Sequence, residues 1–223
     1  AFAAINASGL SGNIDLQLIT GYPAAAETYP IKSATAGAGG GFNINVYPTV
    51  SGLSITSANA TGTLRLDSAA KITFDGRVNA TGSTKDLIIA NTVTTGYAIN
   101  FVNDANNNTI KYCTIRSVNT STTSGTITFT TGIAGGTGND NNTIDNNDIL
   151  DGATTPVNAI YSAGTSAAVD NSGNTVSNNN IANFFSAASV TNGMLLTSTG
   201  NSTWSVTSNR FYQGATRVYT TGN

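Results

Sequence analysis

The chain has 223 residues, 39% hydrophobic and only 9% charged, with a formal net charge of −2, one cysteine and no histidine. A charged fraction far below the roughly 25% of soluble domains, without any basic cluster, argues against nucleic acid as a partner. The missing histidine removes the commonest general base and transition-metal ligand, and the lone Cys113 excludes an internal disulfide.

Polarity therefore comes from uncharged side chains, with 36 Thr and 29 Asn. A single cysteine fits either a reduced cytosol or an exported protein that avoids cysteine, and the polar, uncharged composition favours export, extracellular or at the cell surface. No apolar run approaches the roughly 18 residues of a membrane-spanning helix, so membrane insertion is not expected. The opening AFAAINASGL lacks the charged segment and apolar core of a signal peptide. The expectation is a segment of a longer chain.

Helix-period patterns are nearly absent, because Thr, Ser, Asn and Gly fill the spacers and disfavour helix interiors. Short alternating segments take their place. Apolar residues two apart share one face of a strand. Ile14–Leu18 is the first such segment. Residues 21–42 follow as an irregular loop rich in Gly, Pro and Ala, including the run Gly37–Gly41. That run lacks the Lys of a phosphate-binding loop, so a plain insertion is expected. Ile44–Val46, Leu64–Leu66, Ile72–Phe74, Leu87–Ile89, Ile99–Phe101 and Ile127–Phe129 alternate in the same way. Further on stand Ala159–Tyr161 and the pair Leu195 and Leu196.

The second half repeats. Ile110 and Ile115, Ile144 and Ile149, Val176 and Ile181, and Val206 and Phe211 form apolar pairs five apart. Their first members recur after 34, 32 and 30 residues. A motif with a period near thirty marks a stacked-repeat architecture. Three series emerge: Ile110, Ile144, Val176 and Val206, extended backwards by Ile72 and Ile44; Ile115, Ile149, Ile181 and Phe211; and Leu64, Ile99, Ile127, Ile160 and Leu195. Three short strands per period describe one coil of a parallel β-helix, an all-β solenoid of about six to seven coils. Residues 1–223 form one domain in this scheme, since no boundary is visible. Arg65, Thr73, Asn100 and Thr128 are expected to face water.

Two residues before the second apolar position stand Cys113, Asn147, Asn179 and Asn209. These are predicted to stack as a column at a coil corner, where positive φ favours Asn and side-chain amides bond from coil to coil. The segment NNTIDNNDILDG is accordingly read as a corner. It does not follow the EF-hand spacing, so no metal and no cofactor is assigned. Asp145 and Asp148 are the residues that would hold Ca2+ in the alternative.

The segment Lys71–Thr92, KITFDGRVNATGSTKDLIIANT, followed by YAINFVNDANNNTIKYCTI, resembles the right-handed parallel β-helix repeats of large secreted surface proteins of Bacteroidetes-type bacteria. The resemblance runs from about Ile5 to Phe211 and rests on structural motifs. It implies a right-handed helix of the pectate-lyase-like superfamily and a structural or adhesive surface segment. Its expected partners are neighbouring repeats, copies of itself or polysaccharide. The same superfamily contains polysaccharide lyases and hydrolases, which need clustered carboxylates and nearby cations. The dense group here is Asp140, Asp145, Asp148 and Asp151, with Lys111 and Arg116 one coil earlier. No catalytic residue is assigned, and the lyase or hydrolase is the alternative function. An ice-binding face carried by Thr126–Thr131 and centred on Thr128 is a second alternative. Asp67–Ala69 resembles an O-glycosylation acceptor motif with Ser68 as its site, and Trp204 is a candidate for stacking on carbohydrate.

Overall fold

The computed structural model describes residues 1–33, 41–197 and 199–220. Most of the Gly37–Gly41 run lies outside them. The described residues form a parallel β-solenoid of about six turns with one α-helix.

Three parallel sheets run the length of the stack. The first contains Ile14–Leu18, Ile44–Pro48, Ile72–Asp75, Thr109–Lys111, Thr143–Asp145, Thr175–Ser177 and Ser205–Thr207. The second contains Leu53–Ser57, Leu87–Asn91, Cys113–Ser117, Asp148–Asp151, Asn180–Ala182 and Arg210–Tyr212. The third contains Ile31–Ser33, Leu64–Asp67, Ile99–Val102, Ile127–Phe129, Asn158–Ser162 and Asn192–Leu196. Every strand pairs with its counterpart one coil away, so alternate side chains of each strand point into a shared lumen.

The lumen is filled by vertical files. Ile110, Ile144, Val176 and Val206 stand in register, as do Ile55, Ile89, Ile115, Ile149, Ile181 and Phe211. Phe101 and Phe129 stack with centroids 4.3 Å apart, and the edge of Trp204 meets Phe129 at 5.0 Å.

Several expected positions move by a residue or more. Phe74, not Ile72, pairs with Ile110, because Thr73 pairs with Thr109. Met194, not Leu195, pairs with Ile160. That frame is pinned by Asn192, whose side chain donates to Asn158 Oδ1 at 2.8 Å. The irregular loop also contains a strand, Ile31–Ser33, which pairs with Leu64–Asp67. The stretch Phe2–Ser8, lacking any marked apolar period, is an α-helix that lies over one end of the lumen. It buries Ile5 and stacks Phe2 on Phe74 at 6.3 Å. At the other end Val206, Phe211 and Tyr212 are 44, 45 and 40% exposed.

Asn100 and Thr128 do not face water. Each is 1% exposed. Thr128 turns its hydroxyl back onto the neighbouring backbone, accepting from Gly125 N–H and donating to Gly125 O, while Asn100 Oδ1 accepts from the Thr130 hydroxyl.

The Phe129 ring is fully buried between two aromatic neighbours. Phe129→Ala should lower the unfolding free energy by about 3–5 kcal/mol, read from urea denaturation, with the slope m unchanged.

Candidate functional site

The corners of the coils carry the most elaborate chemistry. Asn147 Nδ2 donates to Asn179 Oδ1 at 3.1 Å, and Asn179 Nδ2 to Asn209 Oδ1 at 2.9 Å. The same oxygens accept the backbone N–H of the preceding coil: Cys113 on Asn147, Asn147 on Asn179 and Asn179 on Asn209. The second amide hydrogen bonds across the coil to the carbonyls of Ile110, Ile144 and Val176. These asparagines do not themselves take the left-handed conformation. Positive φ falls one residue earlier, at Tyr112, Asn146, Asn178 and Ser208. That turn swings the following side chain inward, where Asn147 and Asn179 are buried.

Two further files share this construction. Asn108, Asn142 and Asn174 stack at 2.9 and 3.1 Å, and Ile72 N–H donates to Asn108 Oδ1. Asn139 and Asn171 stack at 2.9 Å, with Ala105 N–H on Asn139 Oδ1. The first of these is the Asn of the Asn-Thr-aliphatic motif itself, and the second is a further Asn three residues ahead of it, in NDNNT and NSGNT. Trp204 stands one coil beyond Asn174 in register, since Thr175 pairs with Ser205. It is half-buried, and its indole N–H donates to Asn171 O at 2.8 Å. Cys113 is fully buried at the start of the first file, and burial pushes its thiol well up.

The acidic group Asp140, Asp145, Asp148 and Asp151 is divided rather than convergent. Asp145 lies on the first sheet, accepting from the Ser177 hydroxyl and from Asn178 and Asn146. Asp148 and Asp151 lie on the second. Asp148 is engaged by Lys85 and Asn180, and Asp151 Oδ1 by Asn183. Asp140 sits at the corner before the first sheet and accepts from Ser172 N–H and hydroxyl. Among the described residues no three His, Cys, Asp or Glu side chains are grouped so as to hold a metal. Arg116 reaches the backbone carbonyl of Asp151, and Lys111 pairs with Asp75. Ser68 occupies a half-buried corner at φ 53°. No described helix is long and apolar enough to cross a membrane.

A polar cleft of about 390 Å³ opens on the outer face of the first sheet, where sequence patterning pointed to nothing. Asp15, Asn45 and Thr73 lie side by side in one outward row. Tyr47, Asp75 and Lys111 line it from the next row, and Asn79 and Ala80 close it from the loop that follows Asp75. Asp75, 2% exposed, is the anchor. It takes Arg77 Nε and Nη2 at 2.8 and 2.6 Å and Lys111 at 3.3 Å. Arg77 also donates to Gly82 O and lies 4.2 Å above the Tyr112 ring, so one guanidinium braces the whole loop.

Burial works to raise the Asp75 carboxyl, but bonds from Arg77 and the charges of Lys111 and Arg77 outweigh it and hold the group below the usual carboxylate range. Asp67 is depressed in the same way: burial opposes, while Asn103, Lys32 and Arg65 prevail. Asp145 follows, with burial outweighed by Ser177, Asn178 and Asn146.

No protein-family model, no curated protein and no solved structure matches the chain.

Asn147→Ala strips the acceptor from Cys113 N–H and a donor from both Ile110 O and Asn179 Oδ1. At about 1–3 kcal/mol for each buried group left unpaired, a loss of about 3 kcal/mol or more is expected in urea denaturation. Asn209→Ala, on the half-exposed outer rung, should cost distinctly less. A carboxyl depressed in the folded state stabilises fully above its unfolded pKa of about 4, and that contribution is lost as pH falls through the lower folded value. The melting temperature should therefore drop as pH is lowered below about 4, and Asp75→Asn should flatten part of that drop.

Proposed function

We propose that the chain is a stiff structural and adhesive segment of an exported, surface-displayed repeat protein. Its role is to hold Thr- and Asn-rich loops at fixed spacing toward polysaccharide, neighbouring repeats or copies of itself. The observation that carries this is the set of buried asparagine files, in which amides bond along the stack from coil to coil. Bonds of that orientation resist sliding and bending between coils, a property useful to a spacer and not required by a binding module of a single coil.

The division of Asp145 from Asp148 and Asp151 supports the same choice over a lyase or hydrolase, whose carboxylates must converge on one bond. The burial of Thr128 removes the centre of the proposed ice-binding row. Membership of the pectate-lyase-like superfamily, the Bacteroidetes-type source and modification of Ser68 belong to this proposal and rest on the sequence resemblance.

Two measurements test it. In single-molecule stretching the chain should resist until it unfolds at high force, and Asn147→Ala should lower that force. Immobilised chain should also retain polysaccharide-coated beads. Turnover of a uronate polymer, abolished by a chelator and by Asp145→Asn, would overturn the proposal in favour of a lyase.

A further inference from the structure

We infer that the cleft on the first sheet is a binding site for a neutral saccharide. This rests on the surface-adhesion reading above and gives it a specific contact point. The cleft's volume, about 390 Å³, falls within the range of about 300–1,000 Å³ usual for small-molecule sites.

Its lining specifies the ligand class. Asp15 and Asp75 are balanced by Arg77 and Lys111, so the formal charges cancel and neither an anion nor a cation is favoured. Asp75 is committed to Arg77 and Lys111. Of the other lining groups, the Thr73 hydroxyl and the Asn79 amide make no hydrogen bond to the protein among the described residues. They offer donors and acceptors to a ligand whose free hydroxyls each supply both. Tyr47, held through its hydroxyl by Gln17 at 2.9 Å, adds an aromatic surface for the apolar face of a sugar ring.

The wall is prearranged. Asn79 and Ala80, both lining the cleft, hold φ of 52° and 54° consecutively without being glycine. Here the Arg77 brace and the bond from Asp86 N–H to Gly76 O at 2.8 Å close the loop at its base. Gly76 is required at that base, because a Cβ there would lie 2.0 Å from Tyr112 O.

The test is an amide NMR titration of the whole chain with cellotetraose, laminaritetraose and mannotetraose, with tetragalacturonate and spermidine as charged counterparts. A neutral tetraose should shift the signals of Thr73, Asn79 and Lys111. Tyr47→Ala should weaken binding about tenfold, the loss of one aromatic contact. Asn79→Gly, which suits the backbone, should weaken it severalfold while the melting temperature holds. Binding of tetragalacturonate or spermidine alone, or neutral binding with shifts confined to other coils, would overturn the inference. Adhesion of beads that Tyr47→Ala leaves intact would also overturn it, while leaving the adhesive role standing. Absence of bead adhesion by the unaltered chain, with neutral tetraose still bound at the cleft, would overturn the adhesive role instead.

Discussion

A buried carboxamide must spend two donors and two lone pairs, and this constraint governs the whole stack. Asn179 meets it in full. Its oxygen accepts the backbone and side-chain N–H of Asn147, and its two hydrogens go to Asn209 Oδ1 and Ile144 O. Asn142 does the same with Asn108, Asn174 and Ala105. Aliphatic files contribute more free energy per residue, roughly 1.5–3 kcal/mol for each buried side chain, but that attraction has no direction. The amides supply direction. A slip of one residue would turn each Asn out to solvent and leave its partners unpaired at about 1–3 kcal/mol apiece.

The ladders are not present throughout. Leu53 and Leu87 precede Cys113 in the first file, Ile44 and Ile72 precede Asn108 in the second, and Ala69 precedes Ala105 and then Asn139 in the third. All three corners thus change from apolar to amide filling within about a coil of one another. In the earlier coils the lumen is sealed by larger inward side chains, including Phe74, and by the helix Phe2–Ser8. In the later coils the strands of the first sheet shorten to three residues, and the amides take over the work of fixing the frame. Few charges take part.

The architecture was legible because a spacing near thirty leaves a trace that composition does not blur. Ile110, Ile144 and Val176 announce the file and its period together. Ile72 falls out of file with Ile110 because the frame is set by Thr73 and Thr109, whose outward positions carry no hydrophobic signal. Met194 and Leu195 are adjacent apolar residues between which alternation gives no vote; the contact of Asn192 with Asn158 decides for Met194. The inward turn expected at Asn147 is made one residue earlier, at Asn146, whose identity as a second Asn gives the sequence no way to separate the two.

The cleft was illegible for a different reason. Its residues belong to four strands and a loop, and along the lining neither outward row repeats a residue type. A ladder repeats because each coil must satisfy the coil above it. A site that binds something else is under no such demand, and it appears where the repeat is broken. The loop after Asp75 is one such break: a buried carboxylate and the guanidinium it binds are committed to holding it in place. The interruption of periodicity, rather than the periodicity, therefore marks where this solenoid departs from a plain rod.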